Sequence, residues 1–176
     1  MTNKELEQFN AKRKIWQVCA ITDDLEKTMQ AWVDTLKIGP WKVRSFDDTS
    51  MKNLKVGGKA VNEPFKFMIA ITTVGDFEIE IIQPVYGPTI YQEYLDRRGP
   101  GLHHIKEKLS DEDLEKAMKE YEEKGISVLQ TGQFFTDIHA YMGTESSVDF
   151  IYEIGNCPFI EVPEGMTRVF PYEDKA

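Results

Sequence analysis

Short apolar runs alternate with amphipathic stretches along this chain, and the alternation happens twice. Residues 15–21 are mostly apolar and short, which predicts a buried strand. Thr22, Asp23 and Asp24 follow with N-cap chemistry and acidic residues for a first helical turn. Leu25, Met29, Trp32, Val33 and Leu36 recur at three- and four-residue steps, predicting a helix with one apolar face that Gly39-Pro40 stops. Residues 41–46 resume as a strand. Residues 47–63 carry two glycines and few aliphatic residues, and read as a loop or ragged hairpin. Strong strands follow at 65–73 and 77–83, joined through Val74-Gly75-Asp76. Residues 84–88 break the pattern and 89–98 form a short linking helix. Beyond Gly99-Pro100-Gly101 the order returns: a strand at 103–109, a helix capped by Ser110 and ending near Lys124-Gly125, then strands near 126–129, 139–142, 148–153 and 159–162.

The return is visible in the residues themselves. Asp24-Leu25-Glu26-Lys27-Thr28-Met29 reappears 89 residues later as Asp113-Leu114-Glu115-Lys116-Ala117-Met118. Each half is read as a βαβββ module, the second with one short apolar run more than that order uses, and the fold class is α+β. One module alone leaves a sheet face uncovered, and pairing with the other covers it. The expected organisation is a polar leader at 1–14, a first module with its linking helix at 15–98, a second module at 99–165 and a tail at 166–176, the modules forming one domain.

Composition narrows the function classes. Apolar residues at 41% and charged ones at 29% place the chain among globular rather than disordered proteins. A net charge of −9 argues against a nucleic-acid partner, which needs a basic face, but leaves an anionic substrate open because a pocket can oppose the global charge. Cys19 and Cys157 are too few for a disulfide framework, no apolar run approaches the roughly 20 residues of a membrane span, and the start lacks a signal-peptide core. A cytoplasmic protein without a membrane partner is the expectation.

The candidate chemistry lies in polar residues inside these strands. One strand face holds residues i, i+2 and i+4, so Gln17 sits with Cys19 and Ile21, and His104 with Lys106 and Lys108. Glu80 stands between Ile79 and Ile81, and Glu161 between Ile160 and Val162; a carboxylate so placed is costly to bury unless paired or bound to a cation. If the modules pack into one concave sheet, Gln17, Glu80, His104 and Glu161 converge as one imidazole nitrogen and three oxygens, a set suited to a divalent cation with open positions. The alternative is a solvated sheet face, common in antiparallel sheets. His103 reads as a neighbour on the opposite face and His139 as a surface residue. The sequence holds no His-x-x-x-His helix, Cys-x-x-Cys, Gly-x-Ser-x-Gly or phosphate loop, and Gly57-Gly58-Lys59 reads as a turn.

At these residues the chain resembles the vicinal oxygen chelate superfamily over roughly residues 15 to 163. The carrying stretches are Ile79-Glu80-Ile81-Ile82-Gln83-Pro84, Tyr91-Gln92-Glu93-Tyr94-Leu95 and Gly99-Pro100-Gly101-Leu102-His103-His104-Ile105, which look like the matching segment of methylmalonyl-CoA epimerases. The resemblance implies paired βαβββ modules forming a cupped, mostly antiparallel sheet and a homodimer. It implies one divalent ion (zinc, cobalt, nickel or manganese) on Gln17, Glu80, His104 and Glu161. It also implies a small carbonyl substrate of the acyl-CoA kind. The implied reaction is epimerisation or isomerisation through proton abstraction next to a carbonyl, with Glu161 and Glu80 as the catalytic pair. Gln17 stands where the epimerases carry histidine, so the ligand set is similar to that of zinc-type glyoxalase I enzymes, and a lactoylglutathione lyase is the first alternative. A binding or resistance protein without chemistry is the second. Lys106 and Lys66 either meet a substrate carboxylate or thioester oxygen or are solvated lysines; Lys66 lies near the place of the epimerases' second carboxylate.

Overall fold

The structure, a computed structural model, describes residues 1–172. The leader is a short exposed helix, α1 (Asn3–Asn10), closed at its start by a capping box between Thr2 and Glu5. The first module runs β1 (Ile15–Ile21), α2 (Leu25–Leu36) and β2 (Trp41–Asp47), then the hairpin β3 (Lys52–Val56) and β4 (Lys59–Ala60), then β5 (Lys66–Val74) and β6 (Phe77–Tyr86). Helix α3 (Ile90–Arg98) links it to the second module: β7 (Gly101–Lys108), α4 (Asp111–Glu123), β8 (Val128–Phe134), β9 (Asp137–Met142), the single turn α5 (Glu145–Val148) and β10 (Ile151–Gly155). A last strand, β11 (Arg168–Phe170), lies in the tail.

The eleven strands of the described residues form one sheet in the order β11-β2-β5-β6-β1-β7-β10-β9-β8-β3-β4. The modules join along the antiparallel β1–β7 seam, and each lends its partner an edge. The β3–β4 hairpin leaves the first module to pair with β8 of the second, and β11 returns to pair with β2 of the first. What reads as a loop at 47–63 is therefore an edge extension, carried by Leu54, the one fully buried position of β3. The exchange also covers two strand edges that would otherwise expose unpaired backbone groups. None of the described helices is long and apolar enough to cross a membrane.

Helices cover one face of the sheet and a cavity opens on the other. The spacing of Leu25 and Met29 brings them against Trp41, Ala70 and Ile81 under α2, and Leu114 meets Ala140, Met142 and Ile154 under α4. Asp24 and Ser110 cap these helices through hydrogen bonds to the backbone N–H groups of Lys27 and Asp113. Because side chains alternate, residues that interleave with this packing face the cavity: Phe67, Ile69 and Ile71 on β5, Glu78, Glu80 and Ile82 on β6, Asp137, His139 and Tyr141 on β9.

The strand expected at 159–162 does not form. The last strand of the second module is β10, and residues 156–164 run without regular structure past the cavity mouth.

Candidate active site

The cavity holds about 390 Å³ within the cup. One wall is apolar. Phe46 and Phe67 stack with centroids 5.4 Å apart, and Phe134 meets Phe46 edge-on at 4.8 Å. The floor is polar and comes from the four central strands.

Strand register sets that floor. In the parallel pair β1–β6, Gln17 lies beside Glu78 and Cys19 beside Glu80; in β7–β10, His104 lies beside Ile151 and Lys106 beside Glu153. Across the seam Gln17 faces Lys106 and Cys19 faces His104. Exchanging the modules therefore carries Gln17 onto His104 and Glu80 onto Glu153. Each module supplies one polar residue from its first strand and one carboxylate from its last, at equivalent heights.

These four side chains meet. The His104 Nε2 lies 2.7 Å from Glu153 Oε2, 3.4 Å from Gln17 Oε1 and 3.5 Å from Glu80 Oε2. His104 is fully buried and does not itself line the cavity, whereas these three partners do. The Gln17 amide nitrogen donates to Glu78 Oε1 at 2.6 Å, which turns its oxygen toward His104. Burial opposes charge on His104, but Glu153 and Glu80 raise its pKa to about 9. Burial likewise opposes charge on Glu153, only 2% exposed, yet Lys106 and His104 hold it well below the usual carboxylate range. Lys106 Nζ sits 2.9 Å from Glu153 Oε1, its stem crossing β10 at Gly155, where a Cβ would come within 2.8 Å of the lysine Cε. Two buried carboxylates and an amide oxygen converge on one imidazole nitrogen, their charge balanced in the metal-free protein by Lys106 and the imidazole itself. That donor set fits a divalent cation.

Of the residues expected from sequence, the structure brings Gln17, Glu80 and His104 together. Glu161 is not among them: it is exposed and lies in the irregular segment after β10. Glu153, between Tyr152 and Ile154, occupies the place expected for it. The observed strand bounds explain the spacing. From Asp24 to Glu80 is 56 residues and from Asp113 to Glu153 is 40, and the difference of 16 is what the hairpin adds: 18 residues separate β2 from β5, but 2 separate β8 from β9. Lys106 faces the cavity. Lys66 does not: it shares a face of β5 with Met68 and Ala70, which pack toward α2, and its neighbour Phe67 takes the cavity position.

Both other histidines depart from expectation. A register shift leaves His103 as an extra residue on β7, since Cys19 pairs with His104 and Ala20 with Leu102. The bulge turns His103 toward its neighbour, the two Nδ1 atoms 2.8 Å apart, inside a cage of Tyr91, Tyr94 and Tyr141. Cys19, His103 and His104 thereby offer a second donor cluster, all atoms within 4.8 Å. It shares His104 with the first, but neither Cys19 nor His103 lines the cavity, and burial pushes the Cys19 thiol well up, so it stays a poor ligand. His139, expected on the surface, is buried and lines the cavity.

A cupped sheet of paired βαβββ modules with a cavity floor shared between them defines the vicinal oxygen chelate class of protein. Residues 16–142 match the Glyoxalase/Bleomycin resistance protein/Dioxygenase superfamily, and the chain belongs to that family. No curated protein sequence matches it. Among solved structures it is similar to a hypothetical protein of Bacillus halodurans C-125, with a TM-score of 0.63 and 16% identity over 86% of this chain and 99% of that one. It is also similar to methylmalonyl-CoA epimerase of Mycobacterium tuberculosis (TM-score 0.56, 14% identity, 80% of this chain and 85% of that one). A variant of the Streptomyces coelicolor epimerase in complex with 2-nitronate-propionyl-CoA gives a TM-score of 0.55 and 16% identity over 85% of this chain and 98% of that one. At these identities the likeness is one of fold.

Proposed function

We propose that the protein is a metal-dependent epimerase or isomerase that removes and returns a proton next to a carbonyl, with an acyl-CoA of the methylmalonyl-CoA kind as substrate. The observation that carries this reading is the convergence of Gln17, Glu80 and Glu153 oxygens on His104 Nε2 at a cavity floor. The ligand set is then Gln17, Glu80, His104 and Glu153. A divalent ion of zinc, cobalt, nickel or manganese held there supplies a Lewis acid for the negative charge that develops on a carbonyl oxygen. That the similar structures include methylmalonyl-CoA epimerases, one with a nitronate analogue of an acyl-CoA, agrees with this substrate class.

The chain's own groups supply the rest. Glu78 lines the cavity two positions from Glu80; burial, then the Glu80 charge, pushes its carboxyl up to about 7. From that place on the cavity wall its carboxylate can take and return a proton. Lys106 gives the cavity a buried ammonium for a substrate carboxylate or thioester oxygen. Phe46, Phe67 and Phe134 exclude water from the apolar side of the substrate. The Gln-Glu-His-Glu set favours a glyoxalase I-like lyase as the second reading, which uses the same proton transfer on a hemithioacetal.

Elemental analysis of the untagged protein tests the site. About one divalent ion per chain is expected, lost in Glu80→Ala and Glu153→Ala and kept in Glu161→Ala. Retention in Glu153→Ala, or loss in Glu161→Ala, would overturn the ligand set.

A further inference from the structure

The Asp137–His139 pair stands apart from the ligand cluster and needs its own account. His139 is only 8% exposed, yet it lines the cavity. Its Nδ1 lies 3.2 Å from Asp137 Oδ1, so the ring nitrogen facing the carboxylate carries the hydrogen and donates it. The other nitrogen, Nε2, is among the few buried side-chain atoms of the described residues with no hydrogen-bond partner. A buried polar atom without a partner costs about 1–3 kcal/mol, so a folded protein that leaves one on a cavity-lining ring calls for a reason.

The surrounding residues keep Nε2 free. Gly132 on β8 lies directly against it, and a Cβ there would come within 2.7 Å of Nε2. The Gly132 backbone does not need a positive φ, so space rather than conformation explains the missing side chain. The ring sits one aromatic neighbour from the floor: its centroid is 5.7 Å from Tyr141, whose ring is 5.2 Å from His104. Asp137 remains ionised in support, since burial raises its carboxyl but Lys106 and His139 hold it lowered. Glu78 on β6 and His139 on β9 stand on opposite sides of the central β1–β7–β10 strands, each on the wall of the same cup.

We propose that His139, oriented by Asp137, is a second proton-transferring residue of this cavity, serving the face of the substrate carbon opposite to Glu78. The proposal rests on the epimerase reading and makes it a two-base reaction. In one direction the ionised Glu78 takes the hydrogen next to the carbonyl as a proton, the C–H electron pair becomes the carbon–carbon π bond and the carbonyl π pair moves to oxygen. The Nε2–H of protonated His139 then delivers a proton to the other face, leaving a neutral imidazole, and the oxygen's pair re-forms the carbonyl. Before the next turnover Glu78 releases its proton to water and His139 takes one up, and the opposite enantiomer runs the same steps from His139 to Glu78, so atoms and charge balance in both directions.

The test uses the zinc-loaded full chain in D₂O with (2R)- and (2S)-methylmalonyl-CoA, following both enantiomer interconversion and deuterium uptake. His139→Gln is expected to lower interconversion by about 10²–10⁴-fold, to keep metal content, and to retain deuterium uptake without inversion for the one enantiomer that Glu78 serves. Gly132→Ala, whose methyl would fall within 2.7 Å of Nε2 and crowd the ring while leaving both side chains of the dyad present, is expected to reproduce this split. Interconversion in His139→Gln within about threefold of the unmodified enzyme, on a scale where such groups contribute far more, would overturn the dyad and leave the epimerase reading standing. Loss of uptake from both enantiomers together with the metal would mark His139 as structural and equally overturn it. An unmodified, metal-loaded enzyme that exchanges neither enantiomer would overturn the epimerase reading, and the role of His139 with it.

Discussion

Glu78 shows how a single position couples the site to stability. Its carboxyl is raised to about 7 by burial and then by Glu80, so the native protein holds a proton there that the unfolded chain has released. Between the ordinary glutamate range and about 7 the native state binds more protons, and stability falls as pH rises through that window. Glu78→Gln keeps an acceptor for the Gln17 amide and removes the charge. In metal-free protein it is expected to raise the melting temperature at pH 8 and leave it unchanged at pH 4.5; an equal shift at both would show that the carboxyl is not held protonated. His103 acts on another residue. If His104 presents the Nε2 lone pair to a cation, its Nδ1–H donates to His103 Nδ1, fixing the ring. His103→Leu is expected to weaken zinc binding about 10–100-fold in a competition titration, and unchanged affinity would sink that role. Gln17, Glu80 and His104 were legible because polar residues in apolar strands stand out. Glu153 was not, because Ile160-Glu161-Val162 imitates the Ile79-Glu80-Ile81 pattern while lacking the neighbouring strands that make it one.

At the scale of elements, the segment after β10 shows why apolar spacing alone misleads. Residues 159–162 read as a strand, yet Phe159 is 95% exposed, and with Pro158 and Ile160 it borders the cavity mouth. Without strand partners the segment gains nothing from its β-propensity, which is a matter of fit to a sheet. Phe159→Ala is therefore expected to change unfolding free energy by less than about 0.5 kcal/mol in a urea titration. Ile81→Ala removes a side chain fully buried between β6 and α2 and is expected to cost about 2–5 kcal/mol. If the two variants unfolded alike, the packing described for α2 would be wrong. The helices themselves were readable, since Asp24 and Ser110 announce their starts and the apolar stripes of α2 and α4 face the sheet as their spacing requires.

Across the whole molecule the modules are tied by more than the β1–β7 seam. Each holds an edge strand of the other, β3 on β8 and β11 on β2. Fragments 1–99 and 100–176 are expected to lack cooperative unfolding when separate and to regain it, with metal binding, when mixed. A fragment that melted cooperatively alone would show a module to be self-sufficient. The sequence by itself determined the two βαβββ modules, the helix boundaries and three of the four converging side chains. These follow from local periodicity, capping residues and the cost of burying polar groups, which act within a few residues of chain. Only the tertiary structure decided where the hairpin and the tail pair, that Glu153 rather than Glu161 completes the cluster, that a bulge turns His103 inward, and that His139 faces the cavity. Each of these depends on which strand lies beside which, and hydrogen-bonded register between segments far apart in the chain leaves little trace in either segment alone.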